Sequence, residues 1–176
     1  PNLSKAIKLS GYEAFTSLTC GEPSKVIICI RSDLTYIPHL VQPHKGNQYV
    51  CLRVAKKKVA FTLIGAYISP SGQFDGERLH DILTATPGPW IVIGDFNAHH
   101  LLWGSTKINS RGRKLAEFAS RHELNVMNDG SPTYLRGSRC SRCSDLALVS
   151  RRFTQQVRWF TDIETRGSDH IPTYLK

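Results

Sequence analysis

The sequence predicts an α/β fold in which β-sheets are covered by helices. Three observations carry that expectation. Short apolar and β-branched runs outnumber helical stretches, and the helical stretches recur between them. The length of 176 residues, with 40% hydrophobic and 21% charged residues, suits one folded domain spanning 1–176. The same balance excludes a disordered, collagenous or coiled-coil chain.

Taken in order, Val26-Ile-Ile-Cys-Ile30 reads as a buried strand ending at Arg31. Gln48–Ala55 and Val59–Tyr67 read as a hairpin, with Lys56-Lys57-Lys58 as its charged turn. Leu79, Ile82 and Leu83 share one helical face within Gly76–Ala85, and Pro87-Gly88-Pro89 ends that helix. Trp90–Ile93 is the clearest buried strand. Leu115, Phe118, Ala119 and His122 mark a helix over Arg111–Glu123. Leu124–Met127, Leu146–Val149 and Val157–Phe160 complete the strands. Arg136–Cys143 is rich in Gly and Ser and reads as a mobile loop.

Lys plus Arg is 23 against 14 Asp plus Glu, a formal charge of +9. A basic globule favours polyanions, nucleic acid first among them. No apolar run reaches the ~18 residues a membrane span needs, so no membrane partner is expected. Pro1-Asn2-Leu3-Ser4-Lys5 resembles neither a signal peptide nor a natural start. Five irregularly spaced cysteines make a poor disulfide framework. Cys140-x-x-Cys143 lacks the second ligand pair that a structural zinc site needs.

The sharpest chemical feature is Gly94-Asp95-Phe96-Asn97, directly after the buried strand. In an extended chain Asp95 and Asn97 project together, while Phe96 packs the other way. A carboxylate beside an amide suits holding and deprotonating a water. The same residues serve equally as an Asx turn. Ser168-Asp169-His170 pairs a hard oxygen ligand with a titratable donor. Asp145 opens an apolar strand and needs a partner there, for which His170 is the obvious candidate. Tyr67 stands at a strand end before a loop. His99 and His100 suit local packing or a DNA-side contact better than metal binding. Trp103 could stack on a base, but its Leu-Leu-Trp setting reads as core.

Together these residues resemble the endonuclease/exonuclease/phosphatase superfamily. G-D-F-N at 94–97, S-D-L at 144–146 and S-D-H at 168–170 stand in that family's order. The resemblance is closest to the exonuclease III-like endonuclease domain of non-LTR retrotransposons. It is carried by Gly94–His100, Trp103-Gly104-Ser105, Asn109-Ser-Arg-Gly112, Asn128-Asp-Gly-Ser-Pro-Thr133 and Thr165–His170. It implies a four-layered, DNase I-like sandwich of two mixed sheets flanked by helices. It implies phosphodiester cleavage dependent on Mg²⁺, with Mn²⁺ able to substitute. By the matched motifs, Asp95 activates the attacking water and Asn97 hydrogen-bonds within the site. His170 contacts the scissile phosphate, Asp145 holds His170, and Tyr67 also contacts the phosphate. Asp169 assists the metal or the water. Target DNA is the implied partner, a reverse transcriptase is expected downstream on the same polypeptide, and the family inference for location is the nucleus.

The sequence departs from the family's pattern at its start. The family's first strand with an Asn, and the following strand that ends in a metal-binding Glu, have no counterpart here. Glu13 reads as a surface residue and Glu22 as part of a turn. The expectation is therefore a partial domain lacking the first strands, weakly stable and poor at catalysis alone. Arg136, Arg139 and Arg142 lie in the densest basic stretch and are the candidate DNA contacts. Alternatives are a non-catalytic DNA-binding remnant, an abasic-site repair nuclease, or another phosphoesterase of the same fold.

Overall fold

A computed structural model describes residues 9–18, 23–136, 139–165 and 167–176, with the side chains of 136 and 139–142 left undescribed. Glu22 lies outside the described residues. The chain divides into two compact units, Pro1–Val92 and Ile93–Lys176.

In the first unit β1 (Tyr12–Thr16) pairs antiparallel with β2 (Ile27–Arg31). A separate antiparallel meander runs through β3 (Thr35–His39), β4 (Asn47–Lys56) and β5 (Val59–Ile68). The lysine turn is as tight as its charge suggests: Lys56 pairs with Val59, and Lys57 takes the left-handed φ of 54°. Val26, Ile30, Val50, Leu52 and Val54 form the core here, with Phe15, Tyr36 and Tyr67 packed against it. Glu13 is exposed on β1 and accepts a hydrogen bond from the Tyr36 hydroxyl. Helix α1 (Gly76–Ala85) is capped by Asp75, whose carboxylate accepts from Arg78 N at 3.0 Å. It buries Leu79, Ile82 and Leu83, as their spacing requires.

β6 (Trp90–Asp95) begins in the first unit and ends in the second. In the second unit its neighbour is β10 (Asp145–Ser150), which pairs antiparallel with β7 (Leu124–Val126). A 3-10 turn (Leu101–Trp103) leads toward α2 (Ser110–Arg121). α2 buries Leu115, Phe118 and Ala119, and its C-terminal His122 ring lies 4.2 Å from Phe118. β8 (Tyr134–Arg136) and β9 (Arg139–Arg142) form an antiparallel hairpin. This corrects the loop expected from the Gly and Ser content: Tyr134, Leu135 and Cys140 supply strand-forming residues that the local polarity masked. A last ribbon joins β11 (Trp159–Thr161) to β12 (Thr173–Leu175).

Candidate active site

β6 is buried through Ile91 and Val92 and delivers Asp95 to its end. Phe96 turns inward and is 1% exposed. Its amide donates to Ser144 O at 3.0 Å, which ties this loop to the residue before Asp145. Asn97 takes a left-handed φ of 45°. Its backbone N–H donates to Asp95 Oδ1 at 2.9 Å and its side-chain Nδ2 to Asp95 Oδ2 at 3.1 Å. The Asx turn and the paired side chains foreseen as alternatives are thus one arrangement. Both carboxylate oxygens are held from one side by one residue.

Asp145 opens β10, and His170 Nδ1 lies 2.8 Å from its Oδ2. The pair is braced from a third segment. Thr133, fully buried, accepts through Oγ1 from Ser144 N at 3.1 Å and Asp145 N at 3.0 Å. Its carbonyl accepts from Ile171 N at 2.8 Å, just beyond His170. The Tyr134 ring meets the His170 imidazole edge-on, with centroids 5.0 Å apart. Asn128 grips β10 from the other side, donating to Asp145 O at 2.9 Å and accepting from Ala147 N at 3.0 Å.

Charge couples these groups. Burial pushes the Asp95 carboxyl above its ordinary value of 3.8; Asn97's hydrogen bonds oppose the shift and Asp145's charge adds to it. Burial works to lower the His170 pKa, but it is outweighed by the charge and hydrogen bond of Asp145, with Asp95 and Asp169 contributing. The imidazole stays protonated above its ordinary 6.5. Asp169 itself is solvent-exposed, and its carbonyl accepts from Leu135 N at 2.7 Å.

The Gly and Asn residues of the motifs act through the backbone. Asn109 caps α2 by accepting from Gly112 N at 2.7 Å. The same oxygen accepts from His99 N at 3.0 Å, and Nδ2 donates to Asn97 O at 3.0 Å. A Cβ on Gly112 would stand 1.9 Å from the His99 carbonyl oxygen. A Cβ on Gly104, which has a φ of +80°, would stand 2.4 Å from the Gly130 Cα. Trp103 is fully buried and its Nε1 donates to Ala98 O at 3.1 Å, so it is core and not a base-stacking surface. His100 accepts at Nδ1 from Leu102 N at 3.2 Å, a local cap. The Cys143 thiol is buried 3.0 Å from Ser131 O, and the Cys140 side chain lies outside the described residues.

The structure therefore brings Asp95, Asn97, Asp145 and His170 together in the second unit. Tyr67 belongs to the first unit, near the end of β5, where it packs against that unit's core. The side chains of Arg136, Arg139 and Arg142 lie outside the described residues; their backbones form the β8–β9 hairpin. The bracing roles of Asn109, Asn128, Thr133 and Tyr134 are not assigned by the sequence reading. An Asn three residues before a Gly at a helix start could have signalled the cap. No local pattern marks Thr133 as the acceptor for two amides.

Among the described residues no group of three or more His, Cys, Asp or Glu is placed to hold a metal ion. Two carboxylates, Asp95 and Asp145, act on each other here. Mg²⁺ commonly takes one or two protein carboxylates and completes its octahedron with waters and substrate phosphates. The donor chemistry fits an ion bound that way, and does not fit a closed protein cage.

A family profile described as endonuclease–reverse transcriptase matches residues 61–174. The chain belongs to this family. The chain is similar to a probable RNA-directed DNA polymerase from transposon BS of Drosophila melanogaster, 30% identical over 97% of this chain and 19% of the relative. The polymerase from transposon X-element of the same fly is also 30% identical, over 96% of this chain and 19% of the relative. The chain spans about a fifth of the length of these curated relatives. Its fold is similar to that of the endonuclease domain of TRAS1, a telomere-specific non-LTR retrotransposon, with a TM-score of 0.82 at 22% identity over 95% of this chain and 78% of the other. An endonuclease/exonuclease/phosphatase family protein from Bacteroides thetaiotaomicron matches with a TM-score of 0.60 at 13% identity, over 95% and 73%. The fold is that of the endonuclease/exonuclease/phosphatase, DNase I-like proteins. No helix among the described residues is long and apolar enough to cross a membrane.

Proposed function

We propose that this chain nicks target DNA by hydrolysing a phosphodiester. The observation that carries the reading is the contact of the His170 imidazole with Asp145 at 2.8 Å, beside the half-buried carboxylate of Asp95 that feels the charge of both. Asp95, held by Asn97, takes a proton from the attacking water. Asp145 holds Nδ1 of His170, which leaves Nε2–H to donate to a phosphate oxygen as charge develops there. Tyr67 is proposed as a further phosphate contact. Asp169 is the residue proposed to assist a Mg²⁺ ion or its water. When bound, the ion neutralises phosphate charge, and Mn²⁺ is expected to substitute.

Arg136, Arg139 and Arg142 are proposed to contact DNA phosphates from the β8–β9 hairpin. The relatives' names make a reverse transcriptase on the same polypeptide part of this reading, and a DNA target makes the nucleus its place of action. The second reading is a remnant that holds DNA without cutting it. The deciding experiment is nicking of supercoiled plasmid in Mg²⁺, with EDTA and Asp95→Ala controls. Nicking that needs both Mg²⁺ and Asp95 supports the enzyme. Salt-sensitive binding without nicking leaves the remnant.

A further inference from the structure

The loop that follows the site carries an apolar pair on its surface. Leu101 and Leu102 are 64% and 68% exposed, although they sit in an ordered 3-10 turn. They cannot swing inward, because every neighbour is fastened. His100 caps the turn, Trp103 is fully buried beneath it, and Gly104 closes it with its N–H on Leu101 O at 3.1 Å. The two ends of the loop are joined: Asn109 N donates to His99 O at 3.0 Å, and His99 N to Asn109 Oδ1 at 3.0 Å. Exposed large aliphatic residues on so firmly held a turn lie two residues beyond the Asn97–His99 segment that Asn109 clamps.

The chemistry around the pair selects its partner. From Phe96 to Ala116 the sequence contains no acidic residue, while Lys107, Arg111, Arg113 and Lys114 fall in that stretch. Lys107, Arg113 and Lys114 are exposed, and so is Ile108 at 44%. The exposed Asp129 adjoins Gly130, which packs against Gly104 at the end of this turn, so one carboxylate stands beside the cations. A protein groove that accepted two leucines would still gain nothing from the cations unless it were itself acidic. A duplex offers both halves at once: phosphates for the cations and stacked bases for the apolar side chains.

We propose that Leu101 and Leu102 form a fixed wedge that enters a groove of the DNA duplex and unstacks a base step beside the nicked phosphate, with Lys107, Arg113 and Lys114 taking backbone phosphates. The inference rests on the endonuclease reading and adds to it a device for opening the duplex. Rigidity is what makes the wedge effective. A turn whose backbone is already held loses little freedom on insertion, so the contact energy goes into unstacking.

The test uses the 176-residue chain and duplexes carrying 2-aminopurine at successive steps around the nick. The unmodified chain is expected to raise the fluorescence at one step on binding. Leu101→Ser with Leu102→Ser is expected to abolish that rise and to nick intact duplex roughly tenfold more slowly. On a duplex already mismatched at that step, the same variant is expected to nick at the unmodified rate, which separates a missing wedge from a damaged fold. Lys107→Gln with Arg113→Gln and Lys114→Gln should flatten the slope of log K against log salt by about 0.9 for each phosphate no longer neutralised. Binding without any fluorescence rise overturns the wedge and leaves the endonuclease reading standing. Equal slowing on matched and mismatched duplexes also overturns the wedge. Failure of the unmodified chain to bind duplex overturns both readings. Self-association that the leucine variant abolishes would assign the surface to a second copy, and the wedge would fall.

Discussion

His170 and Asp145 stand 25 residues apart in sequence and meet through one contact, Nδ1 to Oδ2 at 2.8 Å. The contact raises the imidazole's pKa against the pull of burial. Its consequence for stability has a definite sign. The contribution is complete below the ordinary value of 6.5 and is lost as pH rises through the higher folded-state value. Asp145→Asn is therefore expected to shift the His170 titration, followed by NMR, to lower pH. The alkaline limb of the nicking rate should move the same way. A titration that stays in place would show that Asp145 does not set the charge of this histidine.

The Asp95 pKa is raised as well, but it governs the other limb of the rate profile. Burial raises its pKa above the ordinary 3.8, so its carboxylate form is reached only at higher pH. The acidic limb of the rate profile should lie above the usual carboxylate range. Stability associated with this group is greatest below 3.8 and declines as pH rises through the folded-state value. Asp95→Asn is expected to lower kcat about 10²- to 10⁴-fold. Single-turnover nicking across pH checks both statements.

Thr133 tests the brace without touching a reacting group. Its Oγ1 serves two amides, Ser144 N and Asp145 N, at a position with no exposure. Thr133→Val keeps the shape and orphans both donors, an expected loss of about 2–4 kcal/mol. Thr133→Ser should recover most of it. Urea midpoints at constant m-value are the measurement.

Gly104 and Gly130 should respond unequally to a methyl group. At Gly104 the new carbon would lie 2.4 Å from a backbone atom, whereas at Gly130 the nearest atom is 3.7 Å away. Gly104→Ala is expected to cost about 2–4 kcal/mol, since a backbone must move. Gly130→Ala meets only the strain of its φ of +98°, about 1–2 kcal/mol. Equal losses in denaturant unfolding would show that the crossing relaxes freely.

Asn109 separates two duties of one side chain. Asn109→Ala removes the cap of α2 and should cost about 0.5–2 kcal/mol. Asn109→Asp keeps an acceptor for Gly112 N and His99 N but loses the donor to Asn97 O. It is expected to hold most of the stability while nicking falls roughly tenfold to a hundredfold at unchanged duplex affinity. A parallel loss of affinity would show that the loop serves binding instead.

The legible parts were those with strong local periods. Leu79, Ile82 and Leu83 gave α1 its full extent, Gly76–Ala85, and Trp90–Ile93 located β6. The pairing of Asp145 with His170 was legible because a carboxylate at the head of an apolar strand needs a partner. β3 was not foreseen, since Pro38 interrupts its pattern; Tyr36 and the pairing with β4 hold it in place. β8 and β9 were hidden by polar composition, and their pairing depends on a partner no local window contains. The brace around Asp145 was illegible for the same reason, because Thr133 acquires its role only from amides that β10 brings to it.

The close pass of the His99 carbonyl over Gly112 has a consequence at the level of the gene. Every missense change of a glycine codon adds a side-chain carbon, so no missense neighbour of position 112 escapes this clash. A single base change at this position can therefore displace the loop while leaving Asp95, Asn97, Asp145 and His170 unaltered.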